Sequence, residues 1–242
     1  MKRKLHFLII SLILATSSGG WAQVTGDFRS LGSGNWSASG SWQRYSSTSV
    51  WENSGIGQNN PGQVPGVGVA SGNIAIQNGH TITLDMTNAV AIASLTIGGG
   101  ASGILQYETV TNRTLTITGN LTISAGAQCN VQNGGSQAGS LVVGGNFSNA
   151  GTINLRQSAT RYADITVNGT TISGNGTYTF RNLTIGGVNT NSSTSTINLN
   201  GNLTCNNTLN CSAGTISFTS GGAQNINGTS NITFNKIGRA HV

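Results

Sequence analysis

The chain has 242 residues, and glycine, threonine, serine and asparagine (36, 30, 28 and 29 residues) make up about half of them. Charged residues are only 7%, which excludes coiled coils and helical bundles, because those folds need the glutamate, lysine and leucine that are scarce here. Glycine shows no strict three-residue period, which excludes collagen, and the apolar content lies above the usual signature of disorder.

Residues 1–22 have the pattern of a secretory signal peptide. A basic start at Lys2, Arg3 and Lys4 is followed by an apolar run from Leu5 to Leu14 and by small residues before a cleavage point after Ala22. The run is too short to span a bilayer, and no later apolar run is long enough for a transmembrane segment. We therefore predict a secreted protein, at the bacterial cell surface or outside the cell.

Removal of the signal peptide changes the meaning of the net charge. The full chain has a net charge of +6, but the mature chain keeps eight basic and five acidic residues, a net charge of +3. No basic patch of the kind that binds nucleic acid is therefore expected.

Residues 23–72 form a segment of different composition, with three tryptophans, both prolines and few periodic strands. Trp36, Trp42 and Trp51 could form a platform on which sugar rings stack, as in a carbohydrate-binding module. The alternative, which we favour, is an aromatic cap over the first coil of a repeat structure, since a solenoid must cover its terminal apolar face.

Residues 73–237 contain a series of short stretches in which apolar and polar residues alternate. This period of two predicts half-buried β-strands bounded by glycine and asparagine turns, and no segment has a helical period. The stretches begin at Ile74, Thr81, Leu95, Leu115, Leu141, Thr152, Ile165, Thr177, Leu183, Thr196, Thr215 and Ile232.

The strands also repeat. A shared glycine at Gly119, Gly145, Gly169 and Gly201 gives spacings of 26, 24 and 32 residues. Such a period predicts a parallel β-solenoid of roughly six coils rather than a sandwich, and crossover preference makes it right-handed. Asn120, Asn146 and Asn202 would then stack as a ladder that shares side-chain amide hydrogen bonds.

A family resemblance is carried by the start of this region. The motifs Gly32-x-Gly34-Asn35-Trp36, Val64-Pro65-Gly66, Gly72-Asn73-Ile74 and Gly79-His80-Thr81 resemble the opening of G8-type β-helical domains. They are equally similar to repetitive bacterial surface proteins exported by the type IX system. This resemblance implies an extracellular β-helix and, for the type IX group, a C-terminal sorting domain.

Candidate catalytic residues are few. Asp85 and Glu108 are 23 residues apart, about one coil, and could face each other as the carboxylate pair that glycoside hydrolysis needs. Arg113, Arg156, Arg161 and Arg181 show no consistent register that would complete such a site. His80 is interpreted as a solvated turn residue. We therefore predict no catalysis, with a polysaccharide-active β-helix enzyme as the alternative.

The three cysteines admit two interpretations. Cys205 and Cys211 could close a seven-residue disulfide loop in an oxidising compartment; alternatively, Cys129, Cys205 and Cys211 are small buried core residues. The chain has no zinc or calcium motif, so we expect no metal and no cofactor.

The last residues of the chain do not follow the sequence pattern of the residues before them. Ile237 to Val242 match the translation of a common short-read sequencing adapter, so we expect residues 238–242 to be non-native and the chain to be the N-terminal fragment of a longer protein. The predicted function is that of a structural or adhesin-like surface module, whose partners are a surface ligand such as a glycan and its own continuation.

Overall fold

Alternating apolar and polar residues form 27 short β-strands and one 3₁₀ turn (Ser39–Ser41) in the described part of the chain. The structure, a computed structural model, describes residues 22–55, 62–67, 71–86, 90–99, 102–234 and 236–237. The predicted signal peptide (except Ala22) and the predicted non-native tail (238–242) lie outside these residues and stay predictions. Among the described residues, no helix is long and apolar enough to cross a membrane.

The strands belong to three sheets. Sheet 1 contains β1 (Phe28–Ser30), β3 (Trp42–Tyr45), β4 (Trp51–Asn53), β5 (Asn73–Ile76), β8 (Ser94–Ile97), β11 (Leu121–Ile123), β14 (Phe147–Asn149), β17 (Thr171–Ser173), β20 (Asn189–Asn191), β23 (Leu209–Cys211) and β26 (Ile232–Thr233).

Sheets 2 and 3 are built in the same way. Sheet 2 contains β2 (Gly34–Asn35), β6 (Thr81–Leu84), β9 (Ile104–Tyr107), β12 (Gln128–Val131), β15 (Thr152–Asn154), β18 (Thr177–Phe180), β21 (Thr196–Leu199), β24 (Thr215–Phe218) and β27 (Lys236–Ile237). Sheet 3 contains β7 (Val90–Ile92), β10 (Thr114–Ile117), β13 (Gln137–Val143), β16 (Arg161–Val167), β19 (Leu183–Ile185), β22 (Leu203–Cys205) and β25 (Ile226–Gly228).

From β5 onward the chain visits the three sheets in turn, and each strand pairs with the strand three positions later. All these pairings are parallel; Leu115, for example, lies opposite Leu141, which lies opposite Ile165. The predicted all-β parallel β-solenoid is therefore confirmed. Sheet 3 has seven strands, which are separated by six coil-to-coil steps, in agreement with the roughly six coils predicted.

The coils differ in length. The early coils repeat after 26 residues, as in the bond from Thr118 to Ile92, whereas a later coil repeats after 20, as in the bond from Asn202 to Asn182. The difference lies in the connections from sheet 2 to sheet 3, which are long at residues 108–113, 132–136 and 155–160 and short at 181–182.

Apolar side chains fill the interior of the coils. Inward positions alternate with outward ones along every strand of the central coils, so that each coil adds the same layer to one continuous core. Stacked columns of this kind bury almost all of the isoleucine, leucine and valine side chains of the strands. Each coil therefore gains its stability from its two neighbours.

The N-terminal segment closes one end of this core. β1 and β2 pair in parallel with β5 and β6, so they add a first, incomplete rung. β3 and β4 then extend sheet 1 in the antiparallel sense. Trp42, the first residue of β3, and Trp36 are fully buried and pack against each other.

The glycine corners stack as predicted for the first three repeats but not for the fourth. Gly119, Gly145 and Gly169 follow strands of sheet 3, whereas Gly201 follows β21 of sheet 2. A Cβ atom on Gly169 would lie 1.7 Å from the carbonyl oxygen of Gly145, so this corner admits only glycine. The fourth repeat was misaligned because a Gly-Asn turn occurs at both corners.

Two separate asparagine ladders replace the single predicted one. The Asn120 Oδ1 accepts the backbone N–H of Asn146 (2.8 Å) at one corner, and the Asn202 Oδ1 accepts that of Asn225 (2.9 Å) at another. The prediction of shared side-chain amide bonds was wrong, because the amide oxygen satisfies a backbone donor that the turn would otherwise leave unpaired.

Candidate functional site

The two candidate carboxylates lie on neighbouring rungs at one edge of sheet 2. Leu84 pairs with Tyr107, and the N–H of Glu108 donates to the carbonyl of Leu84 (3.3 Å). Asp85 directly follows Leu84, and Glu108 directly follows its partner Tyr107. The two carboxylates therefore lie on neighbouring coils, as their spacing predicted.

Each carboxylate is held by a structural partner. Asp85 accepts hydrogen bonds from the backbone N–H (2.9 Å) and the hydroxyl of Ser37, which ties the N-terminal segment to sheet 2. Glu108 forms an ion pair with Arg113, and the Arg113 guanidinium also donates to the carbonyl of Met86 (2.8 Å). Because Arg113 is only 6% exposed, removal of Glu108 would leave a buried cation without its counter-ion.

The connections from sheet 2 to sheet 3 place charged residues at one corner of four consecutive coils. We call this set the charged corner; it consists of Glu108, Arg113, Gln137, Arg156, Arg161, Tyr162, Asp164 and Arg181. Gln137 pairs with Arg161 across β13 and β16, and Arg156 forms a β-bridge with Tyr162. The four arginines that show no common register in the sequence therefore lie at the same corner, with Arg113 two coils before Arg156 and Arg161, and Arg181 one coil after them.

Arg181 is fixed within this corner. Its Nε donates to Asp164 (2.9 Å), and its guanidinium carbon lies 3.3 Å from the centre of the Tyr162 ring. Asp164 also accepts from Asn182. Asp164 thus forms an ion pair with Arg181, and Glu108 forms one with Arg113.

Arg156 and Arg161 have no acidic partner among the residues that the structure describes. The Nε of Arg156 and both side-chain amide atoms of Gln137 are buried without a hydrogen-bond partner in that part of the chain. Four arginines against two acids give the corner a net charge of +2, in a molecule that is otherwise nearly uncharged. Two features of the sequence could have identified the charged corner: the length of the connections between strands and the arginines that these connections contain.

The tryptophans divide into two groups. Trp36 and Trp42 are fully buried, with ring centres 5.0 Å apart, and their indole N–H groups donate to the carbonyls of Pro65 (3.0 Å) and Trp36 (2.9 Å), respectively. Neither ring has a free face for a sugar. Trp51 is half-buried and lies against Tyr45 and, at 4.4 Å, under the Arg29 guanidinium.

His80 is bonded within the fold rather than only solvated. Its Nδ1 lies 2.8 Å from the hydroxyl of Ser30, which also accepts the backbone N–H of Gln77 (2.8 Å). No carboxylate bonds to His80 among the described residues, so the pair lacks the third member of a Ser-His-Asp triad. The contact stabilises the turn between β5 and β6.

All three cysteines are free, buried thiols. Cys205 ends β22 in sheet 3 and Cys211 ends β23 in sheet 1, and both point into the core. Burial raises the pKa of Cys129 to about 12 and that of Cys205 to about 11. These thiols therefore stay protonated and unreactive at neutral pH. No group of three potential metal ligands occurs in the described part of the chain.

Comparison of the chain with protein-family models, with curated proteins and with solved structures gave no match. The resemblance to G8-type and type IX-exported proteins therefore stays a prediction, and function has to be inferred from the residues themselves.

Proposed function

We propose that this chain is a non-catalytic, secreted module of the bacterial cell surface that combines a structural role with adhesion to acidic glycans. The observation that carries the proposal is the charged corner, where Arg156 and Arg161 have no acidic partner in the described part of the chain.

The charge distribution supports this choice of ligand. Arg156 and Arg161 lie at the two ends of the connection between β15 and β16, so both unpaired guanidinium groups belong to one coil. Guanidinium groups bind carboxylate and sulfate oxygens with two parallel hydrogen bonds. A polymer with one acid group on each sugar could contact both arginines at once, which increases avidity.

The contacts of the candidate acids argue against catalysis. A general acid needs a carboxyl group that is free to deliver a proton. Asp85 is bound by Ser37 and Glu108 by Arg113, so both carboxylates already serve the fold.

The adhesion proposal is tested with beads coated with polygalacturonate or, as an uncharged control, dextran. We expect the chain to bind the acidic beads and to be released by salt, because exposed charge contacts are screened. The double variant R156A/R161A should lose this binding, whereas R29A, which removes an arginine far from the corner, should keep it. Equal binding of R156A/R161A and the unaltered chain would contradict the proposal.

The absence of catalysis is tested by release of reducing or unsaturated sugar ends from the same polysaccharides. We expect no turnover above that of a heat-denatured sample. Turnover that disappears in D85N or E108Q, in a variant that still unfolds cooperatively, would instead establish the polysaccharide-active enzyme.

A further inference from the structure

Over four consecutive coils, sheet 2 presents two parallel files of short, uncharged side chains on its outer face. The first file contains four threonines in register: Thr152, Thr177, Thr196 and Thr215. The second file lies two residues further along the same strands: Asn154, Thr179, Asn198 and Ser217. We call this surface the threonine face.

The direction of these side chains is fixed by the core. The residues between the two files are Ile153, Tyr178, Ile197 and Ile216, and all four are buried. Because side chains alternate along a strand, burial of these residues forces both files outward. Thr177 and Thr196 at the centre of the face are exposed.

The hydroxyl groups of the face have no partner inside the protein. Within the described residues, no side-chain hydrogen bond is formed by Thr152, Thr177, Thr196 or Thr215, and the same is true of Thr179 and Ser217. Some outward polar groups elsewhere are used by the fold; on sheet 3, for example, Asp164 accepts a hydrogen bond from Asn182 of the neighbouring coil. The threonine face therefore keeps its hydrogen-bonding capacity for solvent or a ligand.

The face is a two-dimensional lattice. Neighbouring coils are separated by about 4.8 Å and the two files by roughly 6.6 Å. Threonine is stiff about χ1 because it is branched at Cβ, so the four threonine side chains of the first file have little rotational freedom. A ligand that matches this lattice would bind without the cost of ordering the protein side chains.

The chemical groups on the threonine face indicate which kind of ligand it can bind. It contains no charged side chain and no exposed aromatic ring, so it lacks the groups that bind acidic polymers, stack on sugar rings or dominate protein interfaces. What remains is an extended, uncharged surface whose own hydrogen-bonding groups repeat in two dimensions. Ice is such a surface, and one repeat of its oxygen atoms is close to the spacing between neighbouring coils.

We propose that the threonine face binds ice. Its hydroxyl and amide groups would hold water molecules in the positions that they occupy in the crystal, while the threonine methyl groups lie between them. This proposal concerns a different surface from the charged corner and does not depend on the proposed adhesion to glycans.

The test measures how much of the chain enters ice grown slowly from a dilute solution. We expect the unaltered chain to be enriched in the ice fraction, as a simple solute is not. The double variant T177Y/T196Y places two bulky rings at the centre of the face while keeping residues that favour strands. Its concentration in ice should fall about tenfold, since each tenfold step corresponds to only about 1.4 kcal/mol of binding free energy.

The matched control is T166Y/T184Y, which makes the same change on neighbouring coils of sheet 3. Thr166 and Thr184 are paired and face outward, but no second file of free hydroxyls accompanies them. This variant should enter ice like the unaltered chain, and all three proteins should show the same circular dichroism.

Two results would overturn the proposal. One is exclusion of the unaltered chain from ice to the extent of a simple solute. The other is equal incorporation of T177Y/T196Y and the control variant. Binding to insoluble cellulose or chitin that T177Y/T196Y abolishes, without any enrichment in ice, would assign the face to a polysaccharide instead.

Discussion

At the scale of single residues, the fold uses polar groups to join coils and leaves its thiols inside the core. Cys129 lies opposite Ile153 and Leu105 in sheet 2, in a position that an aliphatic side chain fills in the neighbouring coils. Cys205 lies opposite Ile185, whereas Cys211 lies opposite the buried Asn191. The small size of cysteine and its weak polarity explain why it fits this role.

Alkylation of the thiols distinguishes the two interpretations of the cysteines. We expect iodoacetamide to leave the folded chain unmodified and to add three groups per chain in denaturant without a reducing agent. Burial of all three thiols is the physical reason. A single modified cysteine after unfolding, measured by mass spectrometry, would show instead that Cys205 and Cys211 form a disulfide.

Raised thiol pKa values also predict how stability changes with pH. Because burial raises the pKa of Cys129 from 9.0 to about 12, the unfolded chain loses this proton first. The thiol therefore favours the folded state fully below pH 9, and the contribution is lost as the pH rises toward 12. We expect a loss of about 2 kcal/mol from this group between pH 8 and pH 10.5.

Urea unfolding of the unaltered chain and of C129S measures this effect. The serine variant should be less stable at every pH, since it buries a hydroxyl, but its stability should fall less steeply above pH 9. Identical pH slopes for the two proteins would rule out a contribution from Cys129.

At the scale of elements, the aromatic cap and the glycine corner are the features on which the solenoid depends most. Trp42 is fully buried and hydrogen-bonded, whereas Trp51 on β4 is half-buried. We expect Trp42→Ala to lower the free energy of unfolding by about 3–5 kcal/mol. Trp51→Ala should cost about 1–2 kcal/mol, because it loses mainly its contacts with Tyr45 and Arg29.

Denaturant unfolding of the two tryptophan variants provides the comparison. If Trp42→Ala unfolds at the same denaturant concentration as Trp51→Ala, the cap does not contribute to stability in the way its burial indicates.

The glycine corner offers a pair of substitutions that differ only in the space around them. Gly169 is stacked on Gly145, whereas a Cβ atom on Gly40 would meet nothing within 4 Å. Gly169→Ala should therefore destabilise the fold by at least about 1–3 kcal/mol through backbone displacement, while Gly40→Ala should be nearly neutral. Thermal unfolding of both variants checks this difference, and similar melting temperatures would contradict the stacking of the corner.

The strands and the glycine corner also show which features of the fold can be predicted from the sequence alone. The strict alternation in stretches such as Leu115–Ile117 and Ile165–Val167 predicts each strand, and recurrence of the glycine corner predicts the parallel stacking. The alignment failed at Gly201, since the Gly-Asn turn satisfies the same backbone geometry at two corners. Repeat sequence therefore determined the architecture but not the identity of each corner.

The charged corner was not predicted because its residues are brought together by loops of different lengths. Arg113 and Arg161 belong to coils that are not adjacent, and the strand between them carries Gln137. Only the pairing of β10, β13 and β16 reveals that they share one corner. The threonine face, in contrast, follows from the period of two once the coil register is known.

At the scale of the whole molecule, the central claim is that the chain advances by one strand spacing for every coil. The distances between residues of sheet 3 measure this advance directly. Thr116, Thr166, Thr184 and Thr204 lie in one outward row on different coils. From Thr116, these positions are two, three and four coils away.

The measurement is the distance between two spin labels, one at Thr116→Cys and the other at Thr166→Cys, Thr184→Cys or Thr204→Cys, determined by electron paramagnetic resonance. The native thiols are buried and should stay unlabelled. A parallel solenoid predicts backbone separations of about 10, 14 and 19 Å, which increase by one strand spacing per coil. Distances that do not increase in this order would contradict the solenoid and, with it, both proposed surfaces.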